Sequence, residues 1–250
     1  MLRGLDLGTY LRAFGLLARH PQIALAPLLA AVANVLLQLL FGGEGGGFIA
    51  SANAGLAGLA GQLIGSFGLA VAMIGADAAW RRGRAPFDDA WEEARRKTGD
   101  ILIAALGLSF VVYVAGLIGG FAGFAGTIVG YLVATYFFIY ALPAAAFGGI
   151  PGGAALQVSL ERAQASVAPT LLVTGVYVFA TLVAPSLIFS ALYPALLGAM
   201  MAIGPHATSP LVLDVVPRLA VAFITAFVSG YVALVLAKTY ADISYGRRLR

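Results

Sequence analysis

The chain of 250 residues carries only 15 lysines and arginines and 11 aspartates and glutamates. Charged residues make up 10% of the sequence, against about 25% in an ordinary soluble domain. Hydrophobic residues reach 61%, and the mean hydropathy is +0.94. A soluble globule of this length needs more surface charge, and a disordered chain carries less apolar surface. Both classes are excluded, and the composition indicates a membrane protein.

Runs without charged residues predict the number of membrane spans, because about 20 apolar residues cross a hydrocarbon core of about 30 Å. Six spans fit the chain, which we expect to fold as an all-α transmembrane bundle. The predicted spans are 22–41, 54–76, 101–119, 123–147, 170–197 and 219–237. We interpret the fifth as one long helix kinked at Pro185. Dividing it would give seven spans and move the C-terminal arginines to the side opposite the N-terminus.

The placement of the basic residues predicts the orientation of the chain. With six spans both termini share one side, and fourteen of the fifteen lysines and arginines fall on that side. Only Arg218 falls on the other. Because cytoplasmic loops are enriched in lysine and arginine, both termini are expected in the cytoplasm. The thirteen arginines against two lysines are typical of GC-rich coding, which favours a bacterial cytoplasmic (inner) membrane.

An amphipathic segment lies directly before the first, third and fifth spans. In the first, apolar residues recur at helical spacing. They are Leu7, Tyr10, Leu11, Phe14 and Leu17. The second, Phe87–Lys97, has acids in its early turns and bases in its last, which matches the helix dipole. The third covers about Gly153–Val167, with Leu156, Leu160, Ala163 and Val167 expected on one side. These patterns predict three amphipathic helices in the plane of the cytoplasmic surface.

The chain therefore consists of three units, each an in-plane helix, a span, an outer turn and a second span. The units begin roughly 70–80 residues apart. This order predicts three helical hairpins. A true internal repeat and convergent patterning of unrelated segments both remain open as its origin.

Short motifs along the chain resemble a known family. They are the segment 17–21 (LARHP), the connection 81–91 (RRGRAPFDDAW), the segment 140–143 (YALP), and Ser159 with Arg162. In this order they resemble the YciC-like group of six-helix bacterial membrane proteins. They are also similar to the membrane domain fused to some glycerophosphodiester phosphodiesterases. The resemblance covers nearly the whole chain and implies a six-helix topology. It implies no activity, because that group largely lacks an assigned biochemical role.

Few polar side chains occur inside the predicted spans. Asn34 and Gln38 lie four residues apart and share one face of the first span, and Gln62 lies in the second. They could line a polar path for a substrate. Alternatively they form hydrogen bonds between helices, worth about 0.6–2 kcal/mol, which is the interpretation we favour. The tyrosines of spans three to six could likewise line a lipid cavity or pack at the interfaces.

Two further groups of residues are candidate contact points. Asp214 and Arg218 are spaced to pair at the outer end of the sixth span, either as an anionic headgroup site or as an interfacial anchor. The other group lies on the second in-plane helix and could dock a partner protein. It consists of Trp91, Arg95 and Arg96.

The span interiors lack the groups that membrane enzymes and ion-coupled carriers need. They contain no Asp, Glu, Lys or His, and the chain has no cysteine. We expect no catalytic residue, cofactor, metal or nucleic-acid partner. The sequence favours a non-catalytic membrane protein that associates with lipids or with partner proteins, including a second copy of itself. The alternative is a permease-type subunit that works with a separate ATPase.

Overall fold

The computed structural model describes residues 7–41, 48–203 and 210–245. Within these ranges the chain is helical and has no strand, which confirms the all-α class. The helices are α1 (Leu7–Arg19), α2 (Leu25–Phe41), α3 (Phe48–Arg82), α4 (Phe87–Arg96), α5 (Thr98–Gly120), α6 (Gly123–Phe138), α7 (Ala141–Ala146), α8 (Gly152–Ala165), α9 (Val167–Val178), α10 (Ala184–Ile203) and α11 (Pro210–Tyr245). The outer turn expected between the first two spans and the C-terminal arginines lie outside the described residues.

Six helical segments are long and apolar enough to cross a membrane, as predicted. We number them spans 1 to 6: Pro21–Phe41, Gly55–Arg82, Thr98–Gly120, Gly123–Ala146, Val167–Ala202 and Val212–Ser244. Span 2 runs six residues beyond its predicted end at 76. Asp77 and Arg81 lie in this extension and form an ion pair at 2.8 Å, so the helix continues through charged residues. The spans alternate in direction and together make a multi-pass bundle.

Proline shapes the fourth and fifth spans. Span 5 is a single long segment, as predicted, and is interrupted by a π-helical turn, Phe179–Val183, just before Pro185. The proline ring crowds the carbonyl four residues earlier, at Thr181, which explains the position of this turn. Span 4 was predicted at 123–147, and the structure divides it into α6 and α7. The break places Pro143 in the first turn of α7, where proline is tolerated.

Small residues set the distance between the first two spans. Asn34 of α2 donates a hydrogen bond to the Gly61 carbonyl of α3 at 3.2 Å. A Cβ atom at Gly61 would collide with the Asn34 side chain, and one at Gly68 would meet Ala26 and Ala30. Residues without side chains allow the two backbones this close approach. Gly61 and Gly68 therefore fix the α2–α3 pair.

The helical hairpins differ in how they pack. The α2–α3 and α5–α6 pairs are close antiparallel hairpins, as predicted. The third hairpin, formed by spans 5 and 6, is more open, because α11 packs against α1, α2 and α3 as well as against α10. Trp80 of α3 donates its indole N–H to the Leu234 carbonyl of α11 at 2.9 Å. Six consecutive residues of α11, Val232 to Ala237, are buried in the core of the bundle.

Helices α1, α4 and α8 lie at one end of the bundle, which we call the connector face. Long-range hydrogen bonds join the elements there. They are Gln22 to the Ala85 carbonyl (3.1 Å), Lys97 to the Ala146 carbonyl (3.0 Å), the Gly152 N–H to Asp100 (2.9 Å), and Arg162 to the Ile243 carbonyl (3.3 Å). The opposite end, which carries the α5–α6 turn at Phe121 and Ala122, is the turn face.

The three amphipathic helices form as predicted, but the residues that α8 buries differ from the expected stripe. Helix α1 buries Ala13 and Leu17, whereas Leu11 and Phe14 are 75% and 58% exposed. Helix α8 buries small residues instead of the expected leucines. They are Gly152, Ala155, Ser159 and Ala163. Val167, predicted on the same stripe, belongs to α9 and is exposed. Small side chains allow α8 to approach the bundle more closely than leucines would.

Candidate functional site

A cavity of 330 Å³ lies among spans 2 to 6, and we call it the central cavity. Five spans contribute to its wall, with Ser66 from α3, Ser109 from α5, Tyr131 from α6, Tyr177 from α9 and Ser229 from α11. Its volume falls within the range of about 300–1,000 Å³ typical of small-molecule sites. The centre of the bundle is therefore hollow and partly polar.

Gln62 was predicted to line a polar path or to connect helices, and the structure shows it at this cavity. Its amide donates a hydrogen bond to the Ser109 hydroxyl at 2.7 Å, and Ser109 in turn donates to the Ala105 carbonyl at 2.7 Å. Gln62 is exposed and also lines the cavity, so the cavity reaches the surface of the bundle beside it. One residue thus bridges α3 to α5 and contacts the cavity.

The cavity is closed toward the connector face. Met73, Leu142, Val232 and Leu236 line this end, and all four are buried. Met73 is 1% exposed and Leu236 is 2% exposed. The wall is therefore polar near the middle of the spans and sealed by apolar side chains at the connector end.

Asn34, Gln38 and Arg218 meet in a separate cleft of 350 Å³ between spans 1, 5 and 6. Arg218 also pairs with Asp214 at 2.7 Å, as the spacing predicted. This outer cleft and the central cavity share no lining residue, so the described part of the chain shows no continuous polar path from Arg218 to Gln62. The hydrogen bond from Asn34 to Gly61 gives that residue a packing role.

An apolar groove of 780 Å³ runs between spans 5 and 6 and ends beneath α1. We call it the lateral groove. It is lined by Phe14, Leu17, Leu171, Leu172, Gly175, Val176, Phe179, Ala180, Ala184, Ile188, Phe227, Val228 and Tyr231. The rings of Phe14 and Tyr231 stack with their centroids 4.1 Å apart and join α1 to α11. The π-helical turn contributes Phe179 and Ala180 to the wall of the groove, opposite Phe227 and Val228 of α11.

A small polar pocket of 150 Å³ lies on the connector face between α1 and α11. Tyr10, Arg12 and Trp80 line it together with Lys238 and Asp242, which form an ion pair at 2.7 Å. Burial, with the Tyr231 phenol as a second cause, raises the pKa of Tyr10 above its ordinary value near 10. The phenol is therefore neutral at physiological pH.

The proposed docking residues of α4 differ in exposure. Trp91 packs edge-on against Phe67 of α3, with ring centroids 5.5 Å apart, and is 38% exposed. Arg95 and Arg96 are exposed at the end of the helix. Part of the Trp91 side chain therefore stabilises the fold, and the two arginines remain accessible on the connector face.

The composition of these sites limits their chemistry. Among the residues that the structure describes, no group of three or more His, Asp or Glu could hold a metal ion. No Asp, Glu, Lys, Arg or His lines the central cavity or the lateral groove. The side chains present can donate and accept hydrogen bonds and can bury apolar groups.

The two main cavities were not predicted from the sequence. The hydroxyl residues of the central cavity are dispersed over five spans, and the lateral groove is lined by ordinary apolar residues. Thr135 and Ser229 gave no signal, because single hydroxyl residues are tolerated at many positions in membrane helices. The tyrosines gave a partial signal, since a cavity was one of the two interpretations of their positions.

Fold and sites together define a multi-pass α-helical membrane protein with a lateral groove and a separate polar cavity. Comparison of the chain with protein-family models, with curated proteins and with solved structures found no match. Function is therefore inferred from the chemistry of the chain itself.

Proposed function

We propose that the chain is a non-catalytic protein of the bacterial cytoplasmic membrane that binds a bilayer phospholipid. The observation that carries this proposal is the lateral groove of 780 Å³ between two membrane spans. Taking roughly 30 Å³ for each methylene, about the volume of a water molecule, the groove matches one to two acyl chains. In a membrane the surrounding medium of such a groove is lipid, so an acyl chain is its natural occupant.

The surroundings of the groove favour an anionic lipid. Phe14 and Leu17 close the connector end of the groove, and Arg19 follows on the same helix and is exposed. The exposed Leu11 and Phe14 suit the acyl boundary of the membrane. Because α1 closes this end of the groove and ends in a basic residue, the groove suits a phospholipid whose headgroup is negatively charged.

The basic residues also support the proposed orientation, with both termini in the cytoplasm. In the described ranges, ten lysines and arginines lie in α1, at the connector ends of spans 2 and 6, or in the segments around α4 and α8. Arg218 lies toward the turn face. The connector face is then the cytoplasmic face. The motifs noted above favour a place among YciC-like proteins.

Substitution of a groove glycine tests lipid binding. A Cβ atom at Gly175 would meet open space in the groove, so Gly175→Leu fills the groove without a backbone clash. Gly198→Leu is the matched control, because Gly198 lies in the same span, has equally open surroundings and lines no groove. Native mass spectrometry of protein extracted from bacterial membranes should show a bound phospholipid in the wild type and the control. Equal lipid retention by Gly175→Leu would refute the proposal.

A permease-type subunit is the second candidate, and the polar central cavity favours it. In that case α4 and α8 would dock an ATPase at the connector face. Affinity purification in mild detergent should then yield a stoichiometric ATPase that is lost when Arg95 and Arg96 are changed to glutamate. Purification of the chain alone, with bound lipid, would support the first candidate.

A further inference from the structure

The central cavity holds more hydrogen-bonding capacity than the protein uses. Its lining includes Ser66, Tyr131, Thr135, Tyr177 and Ser229. Among the described residues, none of these five hydroxyls has a hydrogen-bond partner in the protein. A hydroxyl that loses water without gaining a partner is destabilising. The cavity is therefore suited to hold molecules that satisfy these groups.

The lining also determines whether the cavity can accept a charged molecule. No acidic or basic side chain lines the cavity to balance an ion. Moving an unpaired ion into such an environment is strongly unfavourable. The hydroxyls and the amide of Gln62 can both donate and accept hydrogen bonds, which matches a group that does the same. An uncharged ligand with several hydroxyl groups meets both requirements.

Size and shape are consistent with this chemistry. The volume of 330 Å³ equals that of roughly eleven water molecules and suits a polyol of about five carbons. The sealed end at Met73 and Leu236 makes the cavity a terminal site. The surface opening beside Gln62 provides access from the side of the turn face.

We propose that the central cavity binds an uncharged polyhydroxyl group, held by the hydroxyls of spans 2 to 6. This group could belong to a free polyol or to the headgroup of a neutral lipid, and the chemistry of recognition is the same for both. The site is distinct from the lateral groove and goes beyond the proposed phospholipid role.

The test measures binding of two probes to the full chain in lipid nanodiscs. Tritiated xylitol represents the free polyol, and a tritiated monoacylglycerol represents the neutral lipid. Gly65→Leu fills the cavity, because Gly65 lines it and a Cβ atom there meets open space. Gly58→Leu is the matched control on the same helix, with equally open surroundings and no place in the cavity lining.

We expect saturable binding of at least one probe, and which probe binds identifies the source of the group. Gly65→Leu should weaken binding by about tenfold or more, and Tyr177→Phe by about two- to tenfold. Gly58→Leu should bind like the wild type. Xylonate, the carboxylate analogue of xylitol, should not compete.

Three results would overturn the proposal. Absence of saturable binding of both probes would mean that the cavity holds water only. Unchanged binding by Gly65→Leu would place the ligand elsewhere. Equal competition by xylonate would show that the site does not select uncharged groups. Since phospholipid retention is measured separately, failure here and failure of the proposed function are distinguishable.

Discussion

Ser159 is expected to stabilise the break in span 4, and removal of its hydroxyl should lower the free energy of unfolding. The hydroxyl of Ser159, on α8, accepts a hydrogen bond from the Tyr140 N–H at 3.0 Å and donates one to the Phe137 carbonyl at 2.9 Å. Ser159 is 0% exposed. The break between α6 and α7 leaves the Tyr140 N–H without a partner in its own helix, so Ser159 replaces that partner.

Ser159→Ala removes one oxygen atom and leaves the buried Tyr140 N–H unpaired. The loss of a partner for one buried donor costs about 1–3 kcal/mol, and almost no volume changes. We expect the free energy of unfolding to fall by that amount in a titration with denaturing detergent. Ser190→Ala is the control, because the Ser190 hydroxyl is exposed and bonds only within its own helix, to the Leu187 carbonyl. A change below about 0.5 kcal/mol in Ser159→Ala, equal to the control, would refute this role.

Three further predictions concern packing, pH and topology. Gly61→Leu should destabilise the α2–α3 pair by about 1–3 kcal/mol, because its Cβ overlaps Asn34. Gly58→Leu, the control, should be neutral or stabilising. The two variants are compared by unfolding titration, and equal free energies of unfolding would contradict the close packing at Gly61. Burial raises the pKa of Tyr10, so the unfolded chain ionises first and stability falls as pH rises through 10 and above. Tyr10→Phe should show a smaller fall in the same titration repeated at pH 8 to 11, and identical slopes would contradict the stated cause. Glu92→Cys and Phe121→Cys should react with a membrane-impermeant thiol reagent from opposite sides of the membrane. Glu92→Cys should react from the cytoplasmic side. Labelling of both cysteines from the same side would exclude the span arrangement.

The span count could be predicted because the charged residues are few and fall between the spans. The ion pair of Glu93 and Lys97, at 2.8 Å, likewise follows from helical spacing. Pro143 was the one residue that indicated a break in span 4. The span itself was predicted from a run without charged residues, and such a run does not show where a helix is interrupted. The extension of span 2 to Arg82 was missed because Asp77 was taken as the end of the apolar run.

The sites were harder to predict, because hydropathy does not fix the rotation of a helix that is apolar on all faces. Tyr131 and Thr135 could have faced lipid or the core, and only packing of five spans shows that they line a cavity. Asn34 and Arg218 are far apart in sequence, and their common cleft depends on α11 packing against α2. On α8, Ala163 is buried as expected, but Ser159 was missed for the same reason, since it faces inward to bond Tyr140.

The central claim is that the lateral groove holds a phospholipid, and a density map of the protein in native lipid tests it most directly. The account predicts elongated density along Gly175, Phe179 and Phe227, ending near Arg19. A groove closed by direct contact between spans 5 and 6, or filled by another protein chain, would contradict the claim.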